Sequence, residues 1–181
     1  MAPTYHLWLK PSGRAYELLA AAIQTLARQL QAPVFEPHVT LLGRLIGTEH
    51  ELLAQAEQLA EKLRPFHIVL TEPSYREEYF QCLFLKVKET PSILNAHTAA
   101  SQLFSHEHGS AYMPHLSLVY GLYPQELKQE VIAGLSPDLR MTFDTTVLCL
   151  VRADSHDPKD WHELCAVRLG EPRASEEQWS R

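Results

Sequence analysis

Two histidines of this chain occur in matching surroundings, and their residue types could carry out acid–base chemistry. Residues 35–42 read Phe-Glu-Pro-His-Val-Thr-Leu-Leu, and residues 112–119 read Tyr-Met-Pro-His-Leu-Ser-Leu-Val. Both segments follow one pattern: an aromatic residue, any residue, proline, histidine, an aliphatic residue, a hydroxyl residue, leucine and an aliphatic residue. His38 and His115 are 77 residues apart. Agreement over so many residue classes indicates a duplication.

The chemistry that suits these residues is the opening of a phosphodiester. Residues two apart in a β-strand point to the same face, so His38 shares a face with Thr40 and His115 with Ser117. An imidazole with a pKa near ~6.5 can take a proton from water or give one to a departing sugar oxygen. The two hydroxyls can donate hydrogen bonds to the phosphate oxygens. This set needs no metal ion or other cofactor, and the duplication leaves open which histidine is the base.

The elements that must position these residues repeat as well. Residues 7–10 (Leu-Trp-Leu-Lys) precede a helical stretch and the first motif, and residues 83–86 (Leu-Phe-Leu-Lys) do the same for the second. We predict strand, helix, strand, helix, strand in each half, with the halves facing each other across a pseudo-two-fold axis. The predicted strands cover 5–10, 37–45, 66–75, 79–87, 113–122, a stretch near 141–152, and 162–169. The predicted helices cover 13–30, 48–63, 91–104 and 124–134.

Three local signals support the predicted helices. Between Gly13 and Leu30, apolar residues recur at helical spacing. Thr48 followed by Glu51 is typical of a capping box. Proline suits the first turn of a helix, and residues 91 and 124 are prolines at the predicted starts.

Composition and charge restrict the possible functions. The chain has 181 residues, 45% of them hydrophobic, and a formal net charge of −6, which does not favour a nucleic-acid backbone as partner. Cys82, Cys149 and Cys165 have no metal-site spacing and are expected to be small buried residues. The chain has no signal-peptide pattern and no apolar stretch near the roughly 20 residues of a membrane span, so a cytoplasmic protein is expected.

The paired motifs resemble those of the 2H phosphoesterase superfamily, whose signature is His-x-Thr/Ser twice. Residues 35–40, 79–82 and 112–118 resemble its cyclic phosphodiesterase branch, which occurs in plants, fungi and bacteria. The resemblance covers roughly residues 5–168. It implies hydrolysis of ADP-ribose 1″,2″-cyclic phosphate from tRNA splicing, and of nucleoside 2′,3′-cyclic phosphates to 2′-nucleotides.

The resemblance also implies further site residues. It points to Tyr120 as a contact to the phosphate or to water, and to Trp8 and Phe80 as walls of the substrate pocket. In the repeat, the position of Tyr120 is taken by Gly43 in the first half. This asymmetry is expected if the two histidines have different roles.

The expected fold class is α+β: a bilobal fold with two pseudo-symmetric lobes of antiparallel sheet and outer helices around a central cleft. We expect one domain over residues 1–170, with a first repeat at about 5–75 and a second at about 79–169. A polar tail, residues 171–181, follows it.

Two other functions remain open. One is an RNA-end 2′,3′-cyclic phosphodiesterase or 2′,5′-ligase-like enzyme, which would favour a basic groove. The other is a nucleotide-binding module without turnover, which the intact histidines and hydroxyls argue against. The expected partner is a small cyclic phosphate or nucleotide, with no long nucleic acid and no membrane, and the protein is expected to be a monomer. His106 and His108 are interpreted as part of a solvated loop.

Overall fold

The computed structural model describes residues 4–105 and 111–170. The segment with His106 and His108 and the tail from residue 171 lie outside these residues, so the predictions for them stay predictions. Within the described ranges, no helix is long and apolar enough to span a membrane.

The described residues form an α+β fold, as the sequence predicts. The strands are β1 (Thr4–Leu9), β2 (Val39–Leu45), β3 (Phe66–Tyr75), β4 (Leu83–Val87), β5 (His115–Val119), β6 (Thr142–Thr145), β7 (Val147–Ala153) and β8 (Trp161–Arg168). The helices are α1 (Gly13–Leu30), α2 (Glu49–Lys62), α3 (Pro91–Leu103) and α4 (Gln125–Gly134).

One curled antiparallel sheet contains all these strands, in the order β6-β3-β4-β5-β2-β1-β7-β8. Read outward from the β5–β2 junction, each side has four strands, and β4 on one side corresponds to β1 on the other. The cleft expected between two pseudo-symmetric halves therefore lies at this junction.

The third strand of each half-sheet comes from the other half of the chain. β3 follows the first motif in sequence but pairs with β4 and β6. β7 and β8 follow the second motif, yet β7 pairs with β1. The two halves of the sheet therefore exchange strands, which the alternating apolar pattern could not reveal because it does not specify a strand's neighbours.

The two faces of the sheet have different surroundings. Leu7 and Leu9 of β1 are fully buried in the main core, to which the helices also contribute. Trp8, between them, points to the opposite face, where it packs with Cys149 and Val151. The face away from the main core thus carries Trp8, one of the predicted site residues.

The local signals of the first half agree with the structure. α1 has the predicted bounds, and its buried residues Leu19, Ile23 and Leu26 lie at helical spacing. α2 has the predicted capping box, in which Thr48 and Glu51 satisfy each other's backbone N–H groups.

Several predicted bounds in the second half were wrong. Residues 79–81 form a 3₁₀ helix, Tyr79–Gln81, so Phe80 does not share a strand face with Phe84. Residue 124 caps α4 instead of lying in its first turn. The stretch near 141–152 is two strands, β6 and β7, which belong to opposite ends of the sheet.

Candidate active site

The two histidine motifs meet where β2 pairs with β5. Val39 is paired with Leu116, and both side chains are fully buried in the main core. Because side chains alternate along a strand, the residues on either side of this pair point to the opposite face.

The register at this pair brings the four motif side chains together. In an antiparallel pair, the residue before one partner lies opposite the residue after the other. His38 therefore lies across from Ser117, and Thr40 lies across from His115. Such cross-strand neighbours have Cβ atoms about 4.5–5.5 Å apart. We call these four residues the quartet.

Each quartet imidazole is oriented by a backbone carbonyl two residues earlier. Nδ1 of His38 lies 2.7 Å from the Glu36 carbonyl oxygen, and Nδ1 of His115 lies 3.0 Å from the Met113 carbonyl oxygen. A carbonyl oxygen can only accept, so Nδ1 carries the proton and Nε2 is left for chemistry. The intervening prolines favour an extended conformation for residues 36 and 113, which explains why proline precedes histidine in both motifs.

Burial favours the neutral form of both imidazoles in the absence of substrate. It lowers the pKa of His38 from 6.5 to about 3, an effect that the Glu36 carbonyl partly opposes and that nearby positive charge strengthens. Burial also lowers the pKa of His115, which is the more exposed of the two. His115 is one of the charges that lower the pKa of His38, so the two rings interact electrostatically.

An aromatic ring from the neighbouring strand packs on each histidine. Trp8 stacks on His38 with ring centroids 3.6 Å apart and planes within 10°. Phe84 contacts His115 edge to face at 5.1 Å. Trp8 and Phe84 occupy corresponding positions in the repeat, so in both halves an aromatic side chain of the neighbouring strand holds the imidazole.

The side chains around Ser117 complete the second half of the site. The Ser117 hydroxyl donates to the Phe80 carbonyl at 2.9 Å, and the Tyr120 hydroxyl lies near Ser117. Burial raises the pKa of Tyr120, so it stays an O–H donor. The Phe80 ring is 36% exposed and lies 5.2 Å from the Tyr120 ring, at the edge of the cleft.

The aromatic residues that open the motifs hold the two strands together. Phe35 of the first motif stacks on Tyr120, just after β5, at 3.8 Å. Tyr112 of the second motif donates its hydroxyl to the Thr40 carbonyl of β2 at 3.1 Å. Each motif therefore contacts the strand of the other.

A family comparison agrees with this site. The model of the family described as "Cyclic phosphodiesterase-like protein" matches residues 1–169. The chain belongs to this family. The predicted membership of the 2H phosphoesterase superfamily is thereby confirmed, and so is the prediction of a cyclic phosphodiesterase at the level of the family.

A curated relative and two solved structures show the same likeness. The "Cyclic phosphodiesterase" of Arabidopsis thaliana is 27% identical over 171 residues, which cover 91% of this chain and 94% of the relative. Escherichia coli LigT in its apo form superposes with a TM-score of 0.66 at 14% identity, covering 94% of this chain and all of LigT. TT0787 of Thermus thermophilus superposes at 0.62 with 20% identity, covering 92% of this chain and 98% of TT0787. The two structures share the fold with this family member.

Sequence reasoning missed a third imidazole beside the quartet. His6 packs against Gly43, so closely that a side chain on Gly43 would have its Cβ 3.1 Å from Nδ1 of His6. Burial, and then the charge of Arg44, lower the pKa of His6 to about 4. Gly43 corresponds to Tyr120, so its lack of a side chain leaves the room that His6 fills. The glycine at this position of the repeat was the sequence feature that could have indicated room for another side chain.

Sequence reasoning also missed Trp161 at the start of β8. Its ring lies 6.4 Å from that of His38, 5.6 Å from that of Trp8, and 6.2 Å from that of Phe80. Trp161 thereby links both sides of the cleft. It has no repeated counterpart and lies far from either motif in sequence, so no local signal could have identified it.

Among residues 4–105 and 111–170, no group of three or more histidine, cysteine or carboxylate side chains has the arrangement of a metal site. The polar groups of the quartet are imidazoles and hydroxyls, which can act as proton carriers and hydrogen-bond donors.

Proposed function

We propose that this chain hydrolyses small cyclic phosphates, opening nucleoside 2′,3′-cyclic phosphates to nucleoside 2′-phosphates. The observation that carries the proposal is the quartet: two imidazoles with free Nε2 atoms, each across a strand pair from a hydroxyl. The name of the Arabidopsis thaliana relative supports the reaction class. ADP-ribose 1″,2″-cyclic phosphate has the same cyclic diester and is a further substrate of this proposal.

In the proposed reaction, His38 is the base and His115 the acid. The more deeply buried His38 has the stronger preference for the neutral imidazole, which the base requires. Nε2 of His38 takes a proton from water as the water oxygen bonds to phosphorus. The bond from phosphorus to the 3′ oxygen breaks, and Nε2–H of a protonated His115 gives that oxygen its proton. The 2′ oxygen keeps the phosphate.

Hydroxyl groups stabilise the charge that develops on the phosphate. Thr40 is partly buried beside His115 in the register and donates to one non-bridging oxygen. On the other side, Ser117 already donates to the Phe80 carbonyl. The second donor of this proposal is the Tyr120 hydroxyl, which burial keeps protonated. This arrangement gives Tyr120 a role that the first half of the repeat lacks.

Small substrates are favoured over RNA ends. The net charge of −6 disfavours a long polyanion, whereas a single cyclic phosphate needs only the local donors of the cleft. Catalysis without a metal ion, a monomeric state and a cytoplasmic location stay predictions.

Product analysis on a panel of cyclic phosphates tests the proposal. The panel contains a nucleoside 2′,3′-cyclic phosphate, ADP-ribose 1″,2″-cyclic phosphate and an RNA oligomer ending in a 2′,3′-cyclic phosphate, each with and without EDTA. We expect 2′-phosphate products from the small substrates, unchanged by EDTA, and slower reaction of the oligomer. Binding without turnover would support a nucleotide-binding module. Faster turnover of the oligomer would support the RNA-end enzyme.

A further inference from the structure

Lys128 of α4 carries its charge in the interior of the protein, where it is only 1% exposed. An ammonium group loses its hydration on burial, and this costs free energy unless polar partners replace the water. The partners of Lys128 therefore indicate what the buried charge holds in place.

These partners lie where the chain leaves β3 for β4. We call residues 76–82, which join the two strands, the Phe80 loop. The Lys128 ammonium donates to the Arg76 carbonyl at 3.1 Å and to the Glu77 carboxylate at 2.7 Å. It also lies 5.2 Å from the centre of the Tyr75 ring at the end of β3, within the range of a cation–π interaction. Three successive residues are thus held by one side chain of α4.

Hydrogen bonds within the Phe80 loop connect this fixed end to its 3₁₀ turn. The Arg76 N–H donates to the Gln81 carbonyl at 2.9 Å, and the Arg76 guanidinium donates to the Gln81 side-chain oxygen at 3.0 Å. Because Gln81 is the last residue of the turn, a shift of Arg76 would move the turn as well.

The turn in its own right contacts the second motif and the residues that follow it. The Phe80 carbonyl accepts from the Ser117 hydroxyl at 2.9 Å, and the Tyr79 carbonyl accepts from the Gly121 N–H at 3.0 Å. Ser117 is the quartet hydroxyl across from His38. A continuous series of contacts therefore runs from the Lys128 ammonium through the Phe80 loop to the cleft.

The repeat indicates that the packing of the helix does not need a charge at this position. α2 begins at Glu49 and α4 at Gln125, and the fourth residue of each helix is Leu52 and Lys128 respectively. Leu52 is an apolar side chain buried in the main core. Since the first half fills this position with a hydrocarbon, the ammonium in the second half is explained by the loop that it holds.

We propose that Lys128 is a positioning residue of the reaction: it holds the Phe80 loop so that the Phe80 carbonyl fixes the Ser117 hydroxyl in the cleft. This inference rests on the proposed function, in which Ser117 belongs to the reacting site. Lys128 acts through the loop and not on the substrate. A hydroxyl that is already in place need not be ordered during the reaction, which lowers the barrier.

The first test replaces Lys128 by methionine, which has a similar length and no charge. The Glu77 side chain is 71% exposed and stays hydrated without its partner, so Lys128→Met should fold and unfold thermally much like the unmodified protein. We expect kcat for a nucleoside 2′,3′-cyclic phosphate to fall by about 10-fold, the effect of one well-placed hydrogen bond. Amide hydrogen exchange within residues 76–81 should become faster.

The same substitution in two other variants separates positioning from a general structural role. Added to Ser117→Ala, Lys128→Met should lower kcat by less than about twofold, because the hydroxyl that the loop positions is already absent. Added to Thr40→Ala, it should lower kcat by about 10-fold, as it does in the unmodified protein, because Thr40 lies on the other strand.

Lys62→Met is the matched control. Lys62 is an exposed lysine in the last turn of α2. This variant should keep both the kcat and the hydrogen exchange of the unmodified protein.

The outcomes separate this inference from the proposed function. If the unmodified protein hydrolyses no cyclic phosphate of the panel, the proposed function itself is contradicted. With an active protein, an unchanged kcat in Lys128→Met, or equal losses in the Ser117→Ala and Thr40→Ala backgrounds, would leave the proposed function standing and overturn the role of Lys128. Lys128→Leu, which follows the first half, is a second apolar variant, and unfolding of both would show that the fold itself requires the ammonium and would also overturn this role.

Discussion

At the scale of single residues, the site depends on how each imidazole is held. His38 and His115 each donate Nδ1–H to a carbonyl two residues earlier and pack on a ring from the neighbouring strand. The hydrogen bond fixes the tautomer, and the packed ring fixes the plane of the imidazole. A proton transfer to or from Nε2 requires both.

The lowered pKa values predict how activity depends on pH. The base must be neutral, so kcat/KM falls as pH decreases through the pKa of His38, which is about 3 in the free protein. The acid must be protonated, so kcat/KM falls as pH rises through the pKa of His115, which burial holds below its usual value of about 6.5. We expect a bell-shaped kcat/KM profile whose upper limb lies below pH ~6.5.

The profile of kcat should lie at higher pH, because a bound phosphate anion favours the protonated form of both imidazoles. Steady-state rates measured from pH 3 to 9 check this expectation, with exposed His50→Gln as a control that should leave both profiles unchanged. A kcat/KM that still rises above pH 7 would contradict the assignment of His115 as the acid.

The sequence could predict the quartet and one of the two supporting rings. The duplicated motifs reveal His38 and His115 because the same residue classes recur around both. Trp8 was predicted to be a wall of the site, and it contacts His38. The predicted strand over residues 79–87 would place Phe84 on one face with Phe80. The 3₁₀ turn at residues 79–81 breaks this strand, and Phe84 is the ring on His115.

At the scale of secondary structure, the β2–β5 register decides whether the four quartet side chains meet. The pair Val39 and Leu116 is buried in the core, and a shift by one residue would expose both and turn the motif side chains inward. The motif aromatics Phe35 and Tyr112 reinforce this register from either side. The core thus fixes the arrangement of the cleft.

Removal of either quartet hydroxyl should reduce turnover less than removal of a histidine. We expect Thr40→Ala to lower kcat by about 10- to 150-fold, the effect of one hydrogen bond to a charged phosphate. Ser117→Ala should have an effect of similar size, partly because the Phe80 carbonyl loses its hydrogen-bond donor.

Thr98→Ala, which removes a hydroxyl from the exposed surface of α3, is the matched control and should keep full activity. A change below twofold in both quartet variants would show that these hydroxyls do not contact the reacting phosphate. Far-ultraviolet circular dichroism and thermal unfolding establish that each variant is folded.

Periodicity could predict the elements better than their arrangement. The bounds of α1 and β3 follow directly from apolar spacing and from flanking glycine and proline residues. The exchange of β3 and β7 between the two half-sheets could not be predicted, because strand pairing depends on contacts between distant parts of the chain.

At the scale of the whole molecule, the two half-sheets each supply one imidazole to a shared cleft. His38 lies immediately before β2 and His115 is the first residue of β5, on either side of the junction. The exchanged strands place Trp161 near rings of both halves, since it contacts Trp8 as well as Phe80. The proposed reaction therefore needs both halves of the sheet.

The most direct test is therefore the effect of His38→Ala, His115→Ala and the double variant on hydrolysis of a nucleoside 2′,3′-cyclic phosphate. Since base and acid act in the same displacement, each single variant should lose about 10²–10⁴-fold in kcat while remaining folded. The double variant should lose little more activity than the less active of the two single variants, because groups that act as a unit fail together. A folded single variant with near-normal turnover, or losses that simply multiply in the double variant, would contradict the two-histidine mechanism.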